Sequence, residues 1–254
     1  MTSRYDVELN GAKLSEIDER ILILDVNYAG PDHEWQNFAT GGRDGATRYG
    51  RYKGKSSVSI SFAIRAYDIA ERQAVCQSIC AWARDGGVLR INDRPDQILR
   101  CECDQRPYIA SAMKWTDPLT VVFAAYNIPY WQNESADSIL LSGTSANGTL
   151  SIGGNAPETV VSAIVTAQAT LKRIVLTAGD TSMTISGINV ALGRSLILGY
   201  TDEGIQRITY NGQSMLAYRT GADDLIAKCG QANAVSFQAD AQCRVEFSAR
   251  GLWE

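Results

Sequence analysis

Residues 56–87 read SSVSISFAIRAYDIAERQAVCQSICAWARDGG, and within them the apolar period changes once. Val58, Ile60, Phe62 and Ile64 alternate with Ser57, Ser59, Ser61 and Ala63, the two-residue period of a strand with one face in a core. From Ile69 the apolar positions Ile69, Val75, Cys76, Ile79, Trp82 and Ala83 fall mostly three and four apart, which lines one side of a helix. Asp68 followed by Glu71 has the spacing of a capping box, in which the two side chains satisfy free amides at the helix start. Gly86 and Gly87 stop the helix, because glycine adopts the left-handed conformation that closes a helix end.

Working outward, strands surround this helix. Tyr5–Leu9 runs into Asn10-Gly11, the dipeptide best suited to a tight hairpin turn, and Ile21–Val26 is a short apolar strand. After the helix, Val88–Ile91 and Gln97–Cys103 flank an Asn/Asp/Pro cluster at 92–96 and read as a hairpin. Leu119–Asn127 is a further strand, and Pro129, which has no amide hydrogen to give a ladder, ends it.

Beyond about Glu134 charges thin out and small, β-branched and glycine residues take over. Short strands are expected at Gly148–Ile152, Thr159–Ala167, Leu171–Leu176, Ser182–Ile185, Ser195–Tyr200, Gln206–Tyr210, Ala234–Gln238 and Cys243–Ala249. Such spacing without a helical pattern argues a β-sandwich, and Asn211-Gly212 repeats the hairpin signal. The fold class is therefore mainly β, with one helix in a β-rich N-terminal domain over 1–130 and a C-terminal β-sandwich over 131–254. At 254 residues two domains are comfortable, and each half buries enough surface to fold without disulfides or metals.

Composition narrows function. With 45% apolar and 20% charged residues the chain is globular in type. A formal net charge of −4 gives no long-range attraction to phosphate polymers or anionic membranes, so neither nucleic acid nor membrane is an expected partner. The polar start MTSRYDVELNGAKL is unlike a secretory signal, so synthesis in a cytoplasm is expected, with the six cysteines as thiols.

Candidate chemistry is sparse. His33, the single histidine, lies in the turn-like Gly30-Pro31-Asp32-His33-Glu34 without a nucleophile motif to complete a triad, and reads as a loop residue. Cys76 and Cys80 are four apart on the helix, and Cys101 and Cys103 two apart on a strand; zinc knuckles use C-x2-C in tight turns, so core packing is expected. Cys229 and Cys243 have no suggestive spacing. The acidic neighbours Asp202-Glu203, Asp223-Asp224 and Glu102-Asp104 read as solvated. No catalytic residue, metal or cofactor site is expected.

Gly41-Gly42-Arg43-Asp44-Gly45 lacks the Lys-Ser/Thr of a phosphate loop and reads as a turn. The basic run Arg43, Arg48, Arg51, Lys53 and Lys55 reads as a solvated edge or an interface patch. Trp115, Tyr126, Tyr130 and Trp131 gather near the domain boundary, where they can seal a contact or stack on sugar.

In order, the strand Ile21–Val26, the turn GGRDG, the strand SSVSISFAI, the helix ending CAWARDGG and the hairpin VLRINDRPDQILRCECD resemble the distal tail proteins of long, non-contractile-tailed phages and prophages. That family has a Gly-x-Asp-Gly-like turn before a strand, a helix with a tryptophan near its end, here Trp82, and a hairpin with an Asp-x-Pro-Asp-like turn, here Asp93-Arg94-Pro95-Asp96. The resemblance covers about Leu22–Asn127; the C-terminal half matches only in sandwich-like patterning and a late Trp253.

It implies a structural, non-enzymatic hub of a phage tail tip. N-terminal domains would form a six-membered ring, with Gly41–Gly45, Trp82, Asp93, Pro95 and Asp96 at family-like turns and the ring interface. The ring would join the tail tube to the central tail-tip protein, and outward C-terminal domains would meet receptor-binding proteins or host glycans. The chain would then reside at the distal end of the virion tail. The alternative reading is a carbohydrate-binding module that contacts host glycans through Tyr126, Tyr130 and Trp131.

Overall fold

The computed structural model describes residues 5–38, 47–109, 117–201 and 203–254. The chain divides into two compact units, Met1–Trp131 and Gln132–Glu254.

Unit 1 is built from β1 (Val7–Leu9), β2 (Ala12–Lys13), α1 (Leu14–Ile17), β3 (Ile21–Ala29), β4 (His33–Phe38), β5 (Thr47–Lys53), β6 (Ser56–Ile64), α2 (Ile69–Ala83), β7 (Gly87–Ile91), β8 (Gln97–Gln105) and β9 (Leu119–Ala125). Its main sheet is antiparallel with strand order β2-β1-β7-β8-β9-β6-β3. The alternation in β6 sets the core as the sequence predicts: Val58, Ile60, Phe62 and Ile64 are buried. Asn10-Gly11 makes the two-residue β1–β2 turn, with φ of 52° and 84°. Such paired positive angles fit the right-handed twist of the flanking strands.

Helix α2 forms where the period predicts, with two differences. Its buried line is Arg72, Val75, Cys76, Ile79 and Ala83, while Ile69 is 41% exposed. The first turn therefore faces solvent at the position assigned to the core. The Asp68–Glu71 capping box does not form: Asp68 is the N-cap without a side-chain bond, and Glu71 lies 3.5 Å from Arg20. A guanidinium within reach competes for the carboxylate that would otherwise turn back to the helix start. His33 heads β4, paired with Lys53 of β5, and so lies in a strand and not in the expected loop.

In unit 2, which β10 (Trp131–Asn133) leads into, the order continues β11 (Asp137–Ile152), β12 (Glu158–Val160), β13 (Ser162–Ala167), β14 (Leu171–Ala178), β15 (Thr181–Val190), β16 (Ser195–Tyr200), β17 (Gln206–Tyr210), β18 (Gln213–Ser214), β19 (Arg219–Gly221), β20 (Ile226–Lys228), β21 (Gln231–Ala249) and β22 (Leu252–Trp253). The sandwich is one sheet folded on itself. The first half of β21 pairs with β14 and its second half with β13, while β11 follows β21 through both halves. One leaf is thus β19-β15-β14-β21 and the other β21-β13-β16-β17-β18.

Side-chain phase holds both leaves on one core. In β21 the odd-numbered residues Asn233, Val235, Phe237, Cys243, Val245, Phe247 and Ala249 are buried. In β11 the more covered face is odd-numbered up to Gly143 and even-numbered from Ala146, the change falling at a bulge between Gly143 and Ser145. Gly143 takes φ 132°, which suits such a bulge. At the corner of β21, Asp240 Oδ1 accepts the amides of Lys172 and Arg173 at 3.1 and 3.2 Å.

Three expectations for this half change. Thr159–Ala167 is two strands in different sheets, with Val161 between them donating to the Leu225 carbonyl. Ala234–Gln238 and Cys243–Ala249 are one strand of 19 residues. The stretch before Gly148 is also strand.

Candidate functional site

The hairpin turn after β7 is tied to other strands of unit 1 by several bonds. Asn92 opens it by exchanging two bonds with the Asp6 backbone: its amide donates to the Asp6 carbonyl at 3.1 Å, and its Oδ1 accepts the Asp6 amide at 2.9 Å. Asp93 accepts the Tyr28 hydroxyl at 2.6 and 2.7 Å. Arg94 lays its guanidinium over the rings of Tyr28 at 4.7 Å and Trp131 at 5.1 Å, and those rings meet edge-on at 5.8 Å. The position assigned to a ring interface is thus a platform in which Asp93, Arg94, Tyr28 and Trp131 hold one another. Burial, followed by the bond to Asp93, pushes the Tyr28 hydroxyl well above its ordinary range, so it donates at all physiological pH. Pro95 and Asp96 are exposed at the tip.

Trp82 reaches back from the end of α2. Its indole nitrogen donates to the Ala12 carbonyl at 2.9 Å, and its ring meets Phe123 edge-on at 5.7 Å. The helix end is closed by Asn10, whose Nδ2 donates to the Gly86 carbonyl at 2.8 Å while its Oδ1 accepts the Val88 amide at 2.9 Å.

A second cluster is at the other end of β6 and β9. Lys55 Nζ is 2.8 Å from Asp104, whose other oxygen accepts the Tyr126 hydroxyl at 2.9 Å, and Lys55 also stands over the Tyr126 ring at 5.5 Å. Lys53 stands over Tyr130 at 5.1 Å. Of the three aromatics assigned to sugar or interdomain contact, Tyr126 is exposed, Tyr130 half-buried and Trp131 buried at 4% exposure. Gly41, Gly42, Arg43, Asp44, Gly45 and Trp115 lie outside the described residues, as do the side chains of His33, Arg48 and Arg51.

All six cysteines are unpaired thiols. Cys76 and Cys80 both point at the Pro107 carbonyl, at 3.6 and 3.4 Å, tying α2 to the segment after β8. Burial pushes the thiols of Cys76 and Cys243 up to about 11 and that of Cys101 up to about 12. Among the described residues no group of three His, Cys, Asp or Glu is placed to hold a metal ion, and no helix is long and apolar enough to cross a membrane.

Unit 2 carries two exposed features. A groove of about 480 Å³ lies across the outer face of one leaf, lined by Ser145, Asn147, Thr177, Ser236 and Gln238 around Val175. On the other leaf, Leu140, Ile164 and Ile197 are 51%, 40% and 44% exposed. Register puts them in one row, since Leu140 and Ile164 both pair with Glu246 and Ile164 pairs with Ile197. The sequence reading missed this row, because β11 was not read as a strand before Gly148.

Unit 1 is thus an antiparallel sheet with one long helix, and unit 2 a folded-over β-sandwich. The chain is similar to the SPP1 Dit (gp 19.1) protein, a hub adsorption-apparatus protein of phages infecting Gram-positive bacteria, with TM-score 0.68 and 11% identity over 97% of this chain and 98% of that one. The resemblance read from turn, strand, helix and hairpin order is therefore carried by the fold of nearly the whole chain. Two structures of the phage P2 baseplate in its activated conformation, with Ca and with Sr, align at TM-score 0.47 and 8% identity, covering 99% and 97% of this chain and 98% and 97% of those chains. No family model and no curated protein sequence matches.

Proposed function

We propose that this chain is a structural hub of a phage tail tip, at the distal end of the virion tail. Copies join side by side through unit 1 into a six-membered ring that links the tail tube to the central tail-tip protein, while unit 2 carries adhesion proteins; no reaction is assigned to it. The observation that carries this reading is the shared fold with SPP1 Dit over both units. A closed rotational ring needs two unlike patches that fit each other. The unit 1 sheet offers unlike edges, the two-residue β2 at one side and the nine-residue β3 at the other. Native mass spectrometry of the full chain is expected to give a multiple of six 27.6 kDa chains. A chain that stays monomeric at high concentration overturns the ring.

The second reading, a glycan-contacting module, draws on the unit 2 groove, whose hydroxyl and amide groups are of the kind that bond sugar hydroxyls. None of its lining residues is an aromatic platform except Phe237, which is 2% exposed. Binding is therefore expected to be weak per site and to gain from linked copies. Loss of polysaccharide binding by the assembly on Asn147→Ala/Gln238→Ala substitution would support this reading, and unchanged binding would remove it.

A further inference from the structure

We propose that two copies of this chain pair antiparallel, strand to strand, along the free edge of β11, with the two-fold axis at Leu140. Among the described residues β11 pairs with β21 alone, so one side of a 16-residue strand presents open amides and carbonyls. The ends of the two leaves away from β11 are short, two residues at β18 and three at β19. Proteins normally guard a long edge with charge, proline or a bulge. In DSILLSGTSANGTLSI the only charge is Asp137 at its start, there is no proline, and the bulge at Gly143–Ser145 leaves 137–143 regular.

The occupant follows from the sequence of that segment. Ser138-Ile139-Leu140-Leu141-Ser142 is symmetric in chemistry about its centre. Antiparallel pairing about Leu140 sets Ser138 against Ser142, Ile139 against Leu141, and Leu140 against its own copy, with Asp137 opposite Gly143. No like charges oppose each other, and each pair matches polar with polar or apolar with apolar. Ile139 and Leu141 already pack on the sandwich core while only partly covered, so a second strand covers their open flanks and makes the two cores continuous. On the outer face Leu140 meets its own copy, and on each side the row continues through Glu246 to Ile164 and Ile197. This symmetry does not require the six-fold ring; where both exist, pairing joins two rings.

A seven-residue ladder lies at the small end of specific interfaces, so weak pairing is expected. The test is the mass of the full chain at the highest concentration that stays in solution. Leu140→Lys, at an exposed position, is expected to halve the mass and, at a dilution where the pairs have separated, to leave the melting temperature unchanged. A second variant, Leu140→Cys, is expected to form a reducible cross-linked pair on mild oxidation, because residues directly opposed across an antiparallel ladder approach disulfide distance. Leu192→Cys, 69% exposed but off the edge, is the control that does not cross-link. An unchanged mass for Leu140→Lys, or cross-linking of the Leu140→Cys chain no greater than the control, overturns the proposal and leaves the edge to a strand from another protein. Since the readout is a halving, a failed six-fold ring and a failed edge pairing give different masses.

Discussion

Asp104 receives two donors on the surface of unit 1, and its acidity reports them. The bond from Lys55, then the one from the Tyr126 hydroxyl, hold its carboxyl below the ordinary 3.8, while Lys55 is raised by the same contact. A depressed carboxylate stabilises the fold above the unfolded pKa, and that contribution is lost as pH falls through the folded value. Both groups are about one-third exposed, so solvent screens much of the attraction. A carbon-detected NMR titration is expected to place the Asp104 midpoint below 3.8, and Lys55→Met to move it up; an unmoved midpoint would mean that the pair is not formed in solution. Cys76, Cys101 and Cys243 behave oppositely, because burial raises them. With Cys76, Cys101 and Cys243 pushed to about 11 or 12, these three remain neutral thiols at pH 8. A thiol reagent at that pH is expected to leave them unreacted in the folded chain and to count all six after unfolding. Rapid labelling of all six in the folded chain would contradict the burial described here. Sequence reading singled out the turn at 92–96 and Trp82 but not the groups they meet. Tyr28 and Ala12 are distant in sequence, and nothing in spacing shows which side chains a fold brings across a sheet.

At the scale of elements, two glycines separate backbone strain from crowding. Gly86 ends α2 at φ 62°, and a Cβ there would press on the Cys101 carbonyl and lie 2.7 Å from Glu102 Cα, atoms of the neighbouring strand that cannot turn aside. Gly86→Ala is expected to cost about 3 kcal/mol or more. At Gly148 the φ is ordinary and a Cβ would meet the ends of Ile139 at 2.6 Å and Leu141 at 3.0 Å, which can rotate. Gly148→Ala is expected to cost about 1 kcal/mol. Urea unfolding of both variants decides the order, and equal losses would refute it. The same two places show what the sequence made legible. Gly86 was readable as a stop because a 15-residue apolar period precedes it. The strand around Gly148 was half-read, because an edge strand leaves its inner positions only partly covered and the bulge at Gly143–Ser145 shifts the alternation by one residue. In β21 the small Ala239 and Ala241 at the corner interrupt the large apolar residues, so one strand looked like two.

Over the whole molecule, residues 251–254 are bound into unit 2. Trp253 donates its indole hydrogen to Asn133 at 2.7 Å, and the Asn133 amide donates to the Gly251 carbonyl at 2.9 Å. The amides of Asn155 and Ala156 both donate to the Leu252 carbonyl at 3.0 Å, and Glu254 donates to Asn155 at 2.7 Å. Residues 251–254 are therefore laced between the first strand residues of the unit and the segment after β11. All of these partners lie within Gln132–Glu254, as does the core formed by Phe237, Val245, Phe247, Leu176 and Ile185. A unit with its own core and its own closure can fold alone. Residues 132–254 expressed by themselves are expected to unfold in one cooperative transition. Removing 251–254 strands several donors and acceptors, each worth about 1 kcal/mol, so roughly 2–3 kcal/mol is lost. For a unit of this size that lowers the calorimetric midpoint by about 10 °C. In the full chain the same truncation should move one transition and leave the other in place. If both transitions fall together, the two units do not unfold independently, and the closure by Trp253 serves more than unit 2.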